Sequence, residues 1–178
     1  FQFGNDKNFI GDGYRSLLLS DYGNDYLALK INTRVWKLNY TNIFAELTSE
    51  YPHQQDTLLN KKYMAAHHLS FNVTRWLNLG VFESVIFSRQ NHFELQYLNP
   101  IIFYRTVEQL VGSPDNVMVG ADVKIKLGNS VKLYGQLLLD ELQIKNIVKQ
   151  NGWWGNKYGI QAGMQYFDVA GIDHLDMR

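Results

Sequence analysis

Apolar and polar side chains alternate with a period of two over most of this chain, a pattern that suits β-strands and not helices. The clearest run is Asn116 to Leu127. Val117, Val119, Ala121, Val123, Ile125 and Leu127 share one face, and Met118, Gly120, Asp122, Lys124 and Lys126 share the other. Gly128-Asn129 follows, a pair in which both residues tolerate positive φ and which suits a two-residue hairpin turn. The return strand sets Val131, Leu133, Leu137 and Leu139 against Lys132, Tyr134, Gln136 and Asp140, with Leu138 as the exception. Tyr158 to Tyr166, Leu27 to Asn32 and His68 to Val73 repeat the alternation. Leu77 to Phe87 is less regular, with Phe82 and Ile86 on one face and Glu83 on the other. Trp36 to Leu47 changes phase near Asn42, which predicts a bulge.

The connections add a second constraint. Tight ones are expected near Thr33-Val35, Thr74-Trp76, Gly128-Asn129 and Val169-Gly171, and long ones over 49–60, 88–115 and 142–155. Tight and long connections that alternate along the chain sort to opposite ends of a meander, as in outer-membrane barrels. Together with about eight strands, several near the length that crosses a bilayer at a tilt, this predicts an all-β fold. The expected architecture is an antiparallel up-and-down transmembrane β-barrel section, a single domain over 1–178 that belongs to a larger barrel. Val117, Val119, Val123, Ile125, Val131, Leu133, Ile160 and Met164 should face outward. Lys124, Lys126, Lys132, Gln136, Gln161 and Gln165 should face the interior.

Composition narrows the function. Lys+Arg and Asp+Glu are both 17, so the chain lacks the basic excess of a nucleic-acid binder. It has no cysteine, so disulfides and thiolate metal sites are excluded. Mean hydropathy is -0.26 and no apolar run approaches a spanning helix, which the averaging of alternate strand faces explains. Phe1-Gln2-Phe3-Gly4 has no export-signal character, so an exported protein would be represented here without its N-terminus.

One long connection predicts a short helix. Asn99 can cap it, Pro100 suits its first turn and Gly112 its stop, while Phe103, Val107, Leu110 and Val111 form an apolar stripe. Lumen and surface positions both suit such a helix. The stripe's need for a packing partner favours an inward fold that narrows the pore, with Arg105 facing lumen acids or an anionic glycan.

Several segments resemble a known family. They are Gly4–Asp21 (GNDKNFIGDGYRSLLLSD), Lys62–His68 (KYMAAHH), Tyr97–Arg105 (YLNPIIFYR), Tyr134–Glu141 (YGQLLLDE) and Asn151–Gly159 (NGWWGNKYG). In this order, over nearly the whole chain, they resemble the capsule-assembly Wzi-like proteins, in particular the Bacteroidetes branch labelled gliding-motility protein RemB. The resemblance implies an outer-membrane barrel of a Gram-negative bacterium with more strands than this chain supplies. It also implies a cell-surface role in capsular polysaccharide attachment or in gliding. The implied partners are outer-membrane lipid, surface polysaccharide and other surface or motility proteins, with no cofactor and no nucleic acid.

Catalytic and metal signatures are weak. Gly11-Asp12-Gly13 lacks the βαβ context of a phosphate loop and reads as a turn, or as a lumen-facing loop with Arg15 as an anion or sugar contact. His67 and His68 are adjacent and should face opposite sides of a strand, which argues against a shared metal. His68, Ser70 and Asn72 share a face and could suggest a hydrolase, but polar lumen lining is the simpler reading. Asp140-Glu141 diverge as strand neighbours and read as a solvated rim. Trp153-Trp154 suit either an interfacial belt or a platform for a sugar ring. The expected role is non-catalytic, with Arg15, Tyr97, Arg105, Trp153 and Trp154 as glycan or lumen contacts and no metal site. The rivals are an outer-membrane hydrolase and a soluble lipocalin-like barrel, which would put its apolar face inside.

Overall fold

The computed structural model describes residues 1–48, 60–88, 93–99, 115–140 and 157–178. Eight strands follow one another: β1 (Gln2–Asp6), β2 (Tyr26–Val35), β3 (Leu38–Thr48), β4 (Lys61–Asn72), β5 (Leu77–Phe87), β6 (Asn116–Leu127), β7 (Val131–Asp140) and β8 (Lys157–Tyr166). They make one antiparallel sheet in the order β1 to β8, each strand paired with its sequence neighbour. The all-β, up-and-down class expected from the alternation is therefore the class observed. The sheet is open, since no pairing among the described residues joins β1 to β8.

The tight connections lie at one end. Trp36-Lys37 joins β2 to β3, residues 73–76 join β4 to β5, and residues 128–130 join β6 to β7. This last loop has three residues, one more than the Gly128-Asn129 turn expected, and of that pair Gly128 alone adopts positive φ (64°). The first turn sits slightly later than the Thr33-Val35 expected. After β8 the chain turns back through a 3₁₀ turn at Val169–Gly171, and Tyr166 bridges to Met177.

The bulge expected at Asn42 is absent. β3 keeps unbroken register with both neighbours, and Asn42 lies opposite Ile31 and His67. The phase change arises because Tyr40 and Asn42 occupy the face that Phe44 shares, next to His67. Glu83, directly opposite His67 on β5, belongs to the same buried polar group. The irregular pattern of β5 thus reports two different environments, not a defect in pairing.

Each face of the sheet carries its own covering. The connection between β1 and β2, residues 7–25, folds across one face, here called inner. Its Ile10 and Leu18 are buried with Ala28, Ile43, Ala45, Met64, Ala66 and Phe82. Leu138, the apolar exception of β7, packs against this cluster. In a flat sheet β2 and β8 would stand roughly 29 Å apart. Yet Leu18 is buried with Ala28 of β2, while the Leu17 N–H donates to Gln161 Oε1 of β8 at 3.1 Å. Adjacent residues reach both flanks because the sheet curls around this segment.

On the opposite, outer face, residues 93–99 lie over β3 to β6. Phe93 and Tyr97 pack with Phe44, Tyr63, Phe87 and Val117, the Phe87 and Tyr97 rings 4.8 Å apart. The described helical turn here is a 3₁₀ turn at Leu95–Leu98, for which Asn99 is the C-terminal cap. The helix expected from Asn99 to Gly112 otherwise lies outside the described residues. The described start of this connection covers the outer face, not the inner one, and residues 7–25 fill the inner position instead.

Candidate functional site

Beside its apolar cluster, the inner face carries a wall of polar groups on β6 to β8. Strand register sets Lys124, Lys126, Lys132, Gln136, Gln161 and Gln165 on this face, as the alternation predicts. Gly11 and Gly13 bring the backbone of residues 7–25 against this polar wall. A Cβ at Gly11 would collide with the Gln136 amide and Ser16 Oγ, and its φ of +112° disfavours any side chain. Gln136 Oε1 accepts from the Leu17 N–H at 2.8 Å, and Gln136 Nε2 donates to Ser16 Oγ at 3.0 Å. Ser16 Oγ also donates to the Ile10 carbonyl, and Gln161 Nε2 donates to the Tyr14 carbonyl at 2.9 Å. The segment's backbone polar groups therefore find side-chain partners where no strand is available to pair with them.

Asp12, at the tip, is held by two lysines of the wall. Lys124 Nζ lies 3.0 Å and Lys132 Nζ 3.3 Å from its carboxylate, with all three side chains a quarter exposed or less. Below this tip a cavity of about 500 Å³ opens toward the Gly128-Asn129 turn, lined by Asp12, Lys124, Lys126 and Lys132. A cleft of about 660 Å³ lies beside it, lined by Tyr14, Arg15, Tyr22, Lys132 and Gln165.

A second polar pair sits further along the wall. His68 Nε2 and Asp122 Oδ2 meet at 2.7 Å across β5, above Gly80. Any side chain at Gly80 would occupy the space where they meet. Ser70 shares the His68 face, but Ser70 Oγ donates to Asn78 Oδ1 at 3.0 Å, and Asn78 Nδ2 donates to Asn72 Oδ1 at 2.9 Å. Among the described residues no hydrogen bond joins Ser70 to His68. The three residues that could suggest a hydrolase are thus divided between two separate networks.

His67 and His68 do face opposite sides of β4. His67 is fully buried on the outer face, stacked on Tyr40 with the Tyr40 hydroxyl 3.1 Å from Nδ1. No group of three or more metal-ligating side chains occurs among the described residues.

The sequence-predicted contact residues separate. Arg15 lies near the tip of residues 7–25 beside the 660 Å³ cleft, its guanidinium 4.1 Å from the Tyr22 ring centroid. Tyr97 is fully buried on the outer face and donates to Asp115 Oδ2 at 2.7 Å, so it does not join Arg15. Arg105, Trp153 and Trp154 lie outside the described residues. The residues that assemble the inner site, Asp12, Ser16, Asp122, Lys124 and Lys132, are absent from that set. Their signals were a glycine-flanked aspartate with no strand or helix to serve, and lysines spaced to one face of a hairpin.

Searches for related proteins return no match among family models, characterised proteins or solved structures.

Proposed function

We propose that this chain is part of the wall of an outer-membrane β-barrel of a Gram-negative bacterium, with residues 7–25 as a plug in its lumen. Its role is non-catalytic, in anchoring or assembling capsular or exopolysaccharide at the cell surface. The observation that carries this reading is the distribution of polar and apolar groups over β5 to β8, beside the apolar cluster that the inner side holds over β2 to β5. The curled inner side holds Asp12–Lys124–Lys132, His68–Asp122 and the Gln136–Ser16 network, while Leu79, Val81, Leu137, Ile160 and Met164 stand exposed on the outer side. Water-soluble barrels do the reverse.

Two further features support it. Trp36 and Trp76, 78% and 53% exposed, stand at the tight-turn end, as interfacial aromatics do at a membrane boundary. The plug enters from the end opposite the tight turns, the end that carries the long external loops in such barrels. The surface-polysaccharide role itself follows from the resemblance to the Wzi-like proteins. A gliding role, as in the RemB-type branch, is the other outcome to be tested.

The test is fractionation of the full-length parent, followed by deletion of its gene. Recovery in the outer membrane, with loss of cell-attached polysaccharide on deletion, is the expected result. Lost spreading with normal polysaccharide would assign the gliding role. Recovery as a soluble periplasmic protein would overturn the membrane reading.

A further inference from the structure

The three lysines under the plug tip are poorly matched by the plug alone. Lys126 and Lys132 are directly opposite each other in the β6–β7 register, and Lys124 is diagonal to Lys132 on the same face. Like charges placed directly across a strand pair repel and are destabilising. Among the described residues one acid, Asp12, faces them, and it touches Lys124 and Lys132 but not Lys126. Asp122, the next acid along β6, is engaged by His68. The Lys126 ammonium has no partner among the described residues, although it lines the 500 Å³ cavity with the other two. Three ammonium groups against one carboxylate leave a net charge of +2 at the mouth of a polar cavity.

The carboxylate that does bind arrives on a specialised support. Asp12 stands between two glycines whose bare backbones press against Gln136, Gln161 and Tyr134. The tip thereby delivers one carboxylate into the lysine patch and little else. β6 and β7 are each paired on both sides, so the patch lies within the wall and not at a sheet edge.

We propose that Lys124, Lys126 and Lys132 form a binding site for a carboxylate-bearing saccharide, and that Asp12 is an internal stand-in that occupies it until such a ligand displaces it. The assignment of a saccharide rests on the surface-polysaccharide reading above, whereas the assignment of an anion rests on the lysines. Displacement of Asp12 would free the plug tip from the wall, so ligand binding and plug release are coupled.

The experiment measures binding of a short oligogalacturonate to the full-length protein in detergent micelles by calorimetry. Neutral dextran oligosaccharide and inorganic phosphate serve as comparison probes. Oligogalacturonate should bind, more weakly as salt rises. Asp12→Asn should tighten binding roughly two- to fivefold, the range that partly exposed ion pairs carry. Lys126→Gln, which breaks no contact of the plug, should weaken it by a similar factor. Equal or weaker binding by the Asp12→Asn protein would overturn the stand-in. Binding of phosphate as tight as that of oligogalacturonate would overturn the saccharide assignment. Binding of dextran but not oligogalacturonate would overturn the lysine site and leave the polysaccharide reading standing. An outer-membrane protein that binds oligogalacturonate, yet whose deletion spares surface polysaccharide, would keep the site and remove that reading.

Discussion

Two connections leave the same end of this sheet and fold onto opposite faces. Residues 7–25 enter the inner face, and residues 93–99 lie over the outer one. Their chemistry explains the difference. The inner segment packs Ile10 and Leu18 into an apolar cluster and also offers Gly11, Asp12, Gly13 and Ser16, small or polar groups that suit a wall of lysine and glutamine. The outer segment offers Phe93 and Tyr97, rings that suit Phe44, Tyr63 and Phe87. A loop's length sets how far it can reach, but its side chains decide which face accepts it. For the longer connection, length and an apolar stripe predicted an inward fold. Its described part, residues 93–99, lies on the outer face, and the stripe itself lies outside the described residues.

Four substitutions probe this contrast, beginning with the largest effect. Tyr97→Ala removes a fully buried ring from the outer cluster and should cost about 3 kcal/mol in denaturant unfolding of the full-length protein. It should leave permeability in a planar bilayer unchanged, and a rise in conductance would place this segment in the lumen after all. Val81→Arg, on the exposed outer face, should lower membrane-inserted stability by about 2–4 kcal/mol if it lies near the midplane. An unaffected folding equilibrium in lipid would mean that Val81 faces water.

Gly11→Val acts on the other covering. Its positive φ and its contact with Gln136 make a valine there cost about 2 kcal/mol. The plug should loosen and conductance should rise. Unchanged conductance would show that residues 7–25 do not limit the pore. Asp12→Asn should have the smallest effect on stability, about 0.5 kcal/mol, because its ion pairs are partly solvated. A loss of several kcal/mol in the same unfolding assay would make Asp12 a structural anchor instead of a displaceable latch.

Much of the sheet was legible in the sequence. The alternation of β6 to β8 predicted both faces, because period-two patterning and register are tightly coupled. The separation of His67 from His68 followed from the same geometry. β1 was not legible, since Gln2-Phe3-Gly4-Asn5-Asp6 lacks an apolar face and gains its place by pairing with β2. The phase change at Asn42 was visible but its cause was not. Whether a strand bulges or buries a polar residue depends on neighbours such as His67 and Glu83 that only the fold brings together. The site was half legible. Gly11-Asp12-Gly13 and the lysines each stood out, but their meeting depends on a connection crossing the sheet, which leaves no local pattern.

On the proposed reading, the outer side of β5 to β8 meets lipid, and the lysine- and glutamine-bearing inner side encloses a plugged, polar lumen. These 178 residues contain no cysteine, and with any cysteine elsewhere in the full-length protein replaced, single cysteines can be placed at Val81 and Ile160 on one face and at Lys126 and Gln165 on the other. The measurement is their reactivity toward a water-soluble maleimide in the full-length protein reconstituted into lipid bilayers. The account predicts protection at Val81 and Ile160, quenching of labels there by a lipid-phase quencher, and labelling from water at Lys126 and Gln165. Rapid aqueous labelling at Val81 and Ile160, with protection at Lys126 and Gln165, would contradict it and identify a soluble fold.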